Sequence, residues 1–209
     1  MEIIPAGGDP PPLAAIETAA KALAAGQLVA IPTDTVYGLA ADPFHTGAAD
    51  RLFSAKRRPR DVQLPVLVAS VEQAADLTIA VPRSARVLMD RFWPGALTVV
   101  LPRNPDVAAD LGTDEATVGV RCPDHPVPRL LCEAVGPLAT TSANLHSEAT
   151  LPTPDLIAEE FGDLVAVVLD AGACTGAPST VVDCTGEEVK LLRAGRIPWD
   201  EVQSAVSGQ

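Results

Sequence analysis

A chain of 209 residues, 47% hydrophobic and 20% charged, is long enough to bury one core and too apolar for disorder. Its formal charge of −12 disfavours bulk nucleic-acid binding, because an acidic surface repels phosphate backbones, but it leaves room for a local cationic pocket. No apolar stretch approaches the ~20 residues that span a bilayer and no secretory signal opens the sequence, so a soluble, cytoplasmic protein with reduced thiols is expected.

Residues 1–11, with Gly7, Gly8 and a proline run from Pro10, are expected to make a loose start before a single domain over 12–209. From Pro12 to Ala25, Leu13, Ile16, Ala20 and Leu23 share a helical face, and Gly26 supplies the stop. Residues 27–32 then read as a buried strand, 50–56 as a helix and 64–69 as another buried strand. Ser70 opens a helix with Gln73 as its capping-box partner, and Pro82 starts another that runs to Phe92. Strands follow at 97–101 and 117–121, a helix at 126–135 that stops at Gly136, and a strand at 138–141. The alternation continues through 154–161, 165–170, 179–183 and 189–193. With aromatic residues at 3%, the core must rest on Ala, Val, Leu and Ile, which suits an α/β domain of strands covered by helices.

Polar residues gather where strands end, the place where open α/β sheets collect ligand groups. Thr33, Asp34, Thr35 and Tyr37 crowd the end of the first strand, although a capped strand-to-helix turn accounts for them equally well. Arg51, Lys56, Arg57, Arg58 and Arg60 put five of the fifteen basic residues within ten positions. Lys56 and Arg58 precede Pro59 and could project together from a helix end, as phosphates require; a solvated charge run on the helix dipole is the plainer reading. Arg121 ends an apolar strand, where its fork would suit a substrate carboxylate or a structural salt bridge. Thr140–Asn144 and Thr175–Thr180 make further polar turns. The common phosphate loop, dinucleotide fingerprint, nucleophile elbow and zinc-helix motifs are missing from the sequence. Cys122, Cys132, Cys174 and Cys184 include no C-x-x-C pair and the histidines lack ligand spacing, so no metal-binding residues are expected. The residues alone reach an α/β enzyme handling an anionic ligand.

Seven stretches, PTDTVYGLA, KRRP with LPVLV, FWPGALTVVL, VGVRCPDHP, TSAN, STVVD and LLRAG, run in this order from Pro32 to Gly195. Together they resemble the YrdC-like threonylcarbamoyl-AMP synthase family in its short single-domain branch. The resemblance implies a single-domain α/β fold, a twisted mixed β-sheet with flanking helices around a large concave, positively charged cavity. It implies an L-threonylcarbamoyladenylate synthase, a nucleotidyltransferase that joins L-threonine, bicarbonate or CO2 and ATP with Mg2+ and releases pyrophosphate. The product would serve threonylcarbamoyl modification of an adenosine beside the tRNA anticodon, through a separate downstream transferase.

By the same matching, Lys56, Arg58, Ser142 and Asn144 form the catalytic polar set, with Thr117, Thr150 and Arg193 as further nucleotide contacts. Thr35, Arg121, Thr140 and Ser179 would hold threonine, with Arg121 on its carboxylate and Tyr37 walling the pocket. The sequence departs from the pattern at Leu67, where some members have His, and at His146-Ser147, where Ser-Gly is usual. It also stops soon after Arg193, without the further domain and covering linker of longer members. An RNA-binding module is the rival of another class, countered by the net charge and the scarcity of aromatic stacking platforms. A carbamoyl-phosphate-dependent transferase is the other, countered by the lack of room for its additional segments.

Overall fold

If the apolar runs are strands buried on both faces, two layers of helix must cover them, and the computed structural model has that arrangement. It describes residues 1–113 and 116–207. The strands are β1 (Glu2–Pro5), β2 (Leu28–Ile31), β3 (Gly38–Ala41), β4 (Val66–Leu67), β5 (Leu97–Pro102), β6 (Thr117–Arg121), β7 (Leu138–Ser142), β8 (Val165–Asp170), β9 (Thr180–Asp183) and β10 (Lys190–Arg193). The helices are α1 (Leu13–Ala24), α2 (Ala48–Ala55), α3 (Val71–Ala75), α4 (Arg83–Phe92), α5 (Pro126–Val135), α6 (Pro154–Phe161) and α7 (Trp199–Ser207). All ten strands join one sheet in the order β1-β8-β2-β3-β7-β4-β6-β5-β9-β10. It is mixed: β8 is parallel to β1 and β2, β4 to β6 and β5 to β9, while β3 and β7 run antiparallel to their neighbours.

Side chains two apart along a strand share a face, and the two cores follow that rule. Leu28 and Ala30 join a large core with α2, α4, α6 and α7, whereas Val29 and Ile31 join a second core with α1 and α5. The second core stops at β4: it takes Ala40, Leu67, Leu138 and Val167 but no residue of β5, β6 or β9. On this face the sheet beyond β4 therefore has no helix packed over it, which leaves a floor for a cavity.

Several expected elements change. Glu2–Pro5 do not hang loose but pair in parallel with Val167–Asp170, and the buried Ala6 donates to the Asp170 carbonyl at 2.6 Å. The residues after Pro32 do not lead into a helix; β3 returns antiparallel to β2, so the polar segment 32–37 is a strand-to-strand connection. The strand expected over 64–69 reduces to Val66–Leu67. Ser70 Oγ accepts from the Gln73 amide as expected, yet Gln73 Oε1 reaches past Ser70 to the Ala69 amide at 2.8 Å. Helix α7 had no forecast and packs Val202 into the large core beside α4.

Ser147 adopts φ of +68°, a left-handed conformation that costs a side-chain-bearing residue about 1–2 kcal/mol. Ser147→Gly removes that cost and adds back the unfolded-state entropy of glycine, for a net gain of about 0.5–1 kcal/mol, read as a higher urea midpoint at unchanged slope.

Candidate active site

The uncovered part of the sheet collects the polar residues because its strands alternate. Val118 and Val120 of β6 enter the large core, so Arg121 takes the opposite face; Leu97, Val99 and Leu101 of β5 likewise leave Thr98 on that face. A cavity of about 290 Å³ opens there, lined by Thr35, Tyr37, Arg58, Thr98, Arg121, Thr140, Ser142, Asn144, Thr150, Ser179 and Arg193 among others. Gly38 makes part of its depth, since a Cβ at that position would lie 2.8 Å from Thr140 Cγ2. In a larger hollow of about 500 Å³ elsewhere, Asp50 pairs with Arg60 and Arg51 donates to the Gly26 carbonyl.

One end of the cavity is organised around Arg121, which is 6% exposed. Its Nε donates to the Gly95 carbonyl at 2.9 Å, Nη1 to Thr35 Oγ1 at 2.9 Å and Nη2 to Asp34 Oδ1 at 2.5 Å. The side chains of the pair are 8% and 10% exposed, so the salt bridge left open by the sequence is present and largely shielded. Three of the guanidinium's five N–H groups are thus committed, and the remainder can meet a ligand in the cavity. Thr35 is fixed by Thr33, whose hydroxyl accepts from the Thr35 and Val36 amides and donates to the Val36 carbonyl at 2.6 Å. Tyr37 is fully buried and donates to the Gly172 carbonyl at 2.8 Å; burial raises its phenol above the usual range. Thr140 Oγ1 turns back to the Leu138 carbonyl at 3.1 Å.

The other end is the turn after β7. Ser142 Oγ donates to Asn144 Oδ1 at 2.6 Å, and Asn144 Nδ2 donates to the Leu145 and Glu148 carbonyls at 2.8 and 2.7 Å. Lys56, 1% exposed, lies behind this turn and not in the cavity lining. Its Nζ donates to the Ser142 carbonyl at 2.5 Å, the Asn144 carbonyl at 2.7 Å and Asn144 Oδ1 at 2.9 Å. Burial first, and then the neighbouring Arg58, draw Lys56 down to about 7. The three oxygens oppose that effect and are the stronger consideration, because only the ammonium carries three N–H groups to serve them.

Lys56 and Arg58 consequently do not project together. Arg57 takes φ of +50°, and Arg58 turns aside so that its Nε and Nη2 donate to the Val62 and Gln63 carbonyls at 2.7 and 2.8 Å, while the residue still lines the cavity. Arg193 closes the far wall, donating to the Ser179 carbonyl at 2.8 Å and its hydroxyl at 3.0 Å. Burial lowers Arg58, Arg121 and Arg193, and the charge of Arg193 adds to the effect on Arg58. Thr117 opens β6 at the opposite end from Arg121 and is outside the lining; its carbonyl accepts from Gln63 Nε2 at 2.5 Å.

The sequence analysis missed Thr98, whose Oγ1 lies 2.9 Å from Ser179 Oγ, and the lining residue Glu148, while Leu67, noted only as a departure from the family pattern, also lines the cavity. Thr98 carried a signal, being the one hydroxyl in the apolar run of β5.

The Sua5/YciO/YrdC family model, described as "Telomere recombination", matches residues 21–195. The chain belongs to this family. A Mycobacterium tuberculosis protein is 43% identical over 188 residues, which is 90% of this chain and 87% of the relative. The Bacillus subtilis threonylcarbamoyl-AMP synthase is 38% identical over 194 residues, 91% of this chain but 56% of the relative. The structure of Pyrococcus abyssi Sua5 complexed with L-threonine superposes with a TM-score of 0.89 at 36% identity, covering 98% of this chain and 61% of that one. The chain thus spans little more than half the length of these last two.

Replacing Lys56 with Met keeps the bulk of the side chain but removes the charged donor shared by three oxygens of the turn, the Asn144 carbonyl among them. Lys56→Met lowers stability by about 2–4 kcal/mol in urea unfolding and disorders the Ser142–Asn144 turn, seen as lost amide-exchange protection at Ala143.

Proposed function

We propose that the chain is an L-threonylcarbamoyladenylate synthase acting as a nucleotidyltransferase. Threonine's amine and bicarbonate-derived CO2 give N-carboxy-threonine, a carbamate oxygen attacks the α-phosphorus of ATP, and the bond to pyrophosphate breaks. The observation that carries this reading is one cavity with a fixed arginine fork at one end and further arginines beside a Ser/Asn turn at the other. A zwitterionic amino acid and a polyphosphate need those two kinds of recognition within reach of each other.

Arg121 meets the threonine carboxylate with its free N–H groups, held at a fixed angle by Gly95, Thr35 and Asp34. Thr35, Thr140 and Ser179 supply hydroxyls for the amino acid, and Tyr37 walls its pocket. Arg58 and Arg193 offset phosphate charge, the amides and hydroxyl of Ser142–Asn144 orient the nucleotide, and Thr150 borders it. Thr117 would contribute only from outside the cavity lining. Lys56 acts from beneath, by keeping the turn in place. A substitution at phosphorus asks mainly for alignment and charge neutralisation, so none of the lining side chains has to act as a covalent nucleophile. Oriented hydrogen bonds to the substrate hydroxyl favour threonine over valine, because the isostere leaves a buried polar group unpaired. The four free cysteines suit the cytoplasm, and no helix among the described residues is long and apolar enough to cross a membrane. The product passes to a separate transferase that modifies tRNA; the net charge of −12 disfavours tight tRNA binding by this chain itself.

ATP–pyrophosphate exchange that requires both threonine and bicarbonate is the expected activity, and purified protein without such exchange refutes the proposal. Arg121→Lys keeps the charge opposite Asp34 but loses the planar fork. It weakens threonine binding about tenfold or more in calorimetry and leaves ATP binding unchanged; equal loss for both ligands removes Arg121 from the carboxylate.

A further inference from the structure

Among the described residues that line the cavity, Glu148 carries the only carboxylate. It is exposed at the rim, on the loop that follows the Ser142–Asn144 turn. That loop is fastened to the segment bearing Arg58 in two ways. The His146 amide donates to the Lys56 carbonyl at 3.0 Å, and Lys56 Nζ holds Asn144, whose Nδ2 in turn holds the Glu148 carbonyl. Glu148 therefore stands in the sector of the cavity that offers cations to phosphate.

A carboxylate in that position opposes a triphosphate unless a cation stands between them. Magnesium favours such an arrangement, since it retains several waters and is held by one or two carboxylates together with substrate phosphates. Among the described residues no group of three His, Cys, Asp or Glu could hold a metal, so they offer no cage for one. On these grounds, and resting on the reading above that ATP occupies this cavity, we infer that Glu148 is the protein's ligand to the divalent cation that ATP carries. The cation arrives with the substrate, and Glu148 converts a repulsive contact into a bridge. Asp34, the other acidic group close to the site, is committed to Arg121 and is outside the lining.

The test is ATP binding by calorimetry, in EDTA and in saturating Mg2+, for the wild type and Glu148→Gln. The substitution changes one exposed atom, and the backbone bonds of residue 148 to Leu145 and Asn144 do not depend on it. In the wild type Mg2+ tightens ATP binding about tenfold; in Glu148→Gln that coupling disappears, while metal-free ATP binds as well as before or better. Equal Mg2+ tightening in both proteins overturns the assignment. So does an unchanged Mg2+ effect accompanied by lost discrimination between ATP and 2′-deoxy-ATP, which would put Glu148 on the ribose. Threonine- and bicarbonate-dependent pyrophosphate exchange is measured on the same wild-type sample. Its absence alongside a Glu148-dependent Mg2+ effect sinks the proposed reaction and leaves the metal contact standing; failure of the wild type to bind ATP at all sinks both.

Discussion

Side chains alternate across a pleated sheet, so a strand buried against helices on one face and open on the other must carry two chemistries at successive positions. This constraint explains most of the site. Helices α1 and α5 cover one face of the sheet only as far as β4, and beyond that edge the positions that would otherwise be apolar are Thr98, Arg121 and, just before β9, Ser179. Their neighbours Val99, Val120 and Val182 remain in the large core and hold the strands in register. The cavity is therefore a consequence of where the second helical layer stops.

Electrostatics then decide which of these groups keep a free hand. A guanidinium as buried as Arg121 needs partners, and Asp34 at 2.5 Å supplies the charge that burial demands. Such a pair adds little net stability, because the desolvation of both ions offsets their attraction. What it provides is orientation: with Gly95, Thr35 and Asp34 each taking one N–H, the plane of the fork is set before any ligand arrives. Lys56 shows the same logic carried further. All of its donors go to the protein, so its charge supports the loop that presents Ser142 and Asn144 and does not itself reach the cavity.

The sequence was legible where local rules dominate and obscure where distant segments meet. Helix α5 begins at Pro126 and ends before Gly136, so its proline start and glycine stop marked it within a residue. Strand β1 was missed because Glu2–Pro5 is mostly exposed and gains its structure from β8, more than 160 positions away. Strand β3, Gly-Leu-Ala-Ala, has no β-branched residue and lay hidden inside a segment that reads as a turn. The cavity residues Arg58, Arg121, Ser142, Asn144 and Arg193 were named from the sequence, but their directions were not. Lys56 turns toward residues 86 and 88 positions later, and Arg121 toward one 87 positions earlier. Charge spacing along the chain contains nothing about either contact.

The two ends of the cavity also differ in how firmly they are built. The segment between β8 and β9 fastens over the Arg121 end: Gly172 accepts from Tyr37, the Gly176 amide donates to the Thr35 carbonyl at 2.9 Å, and Cys174 joins Pro152. Gly176 lies so close that a Cβ there would stand 2.5 Å from the Thr35 carbonyl oxygen, so this contact tolerates glycine alone. Arg196 adds a bond from Nη1 to the Asp34 carbonyl at 2.6 Å, tying the chain after β10 to the same strand connection. At the opposite end Arg193 and Glu148 are exposed, and one lysine beneath the turn serves three of its oxygens. On the proposed reading, a pocket of this kind would meet its amino acid with little rearrangement and retain its freedom for the nucleotide. On that reading, ordering on binding falls on the phosphate side, where the two arginines Arg58 and Arg193 would compensate for it.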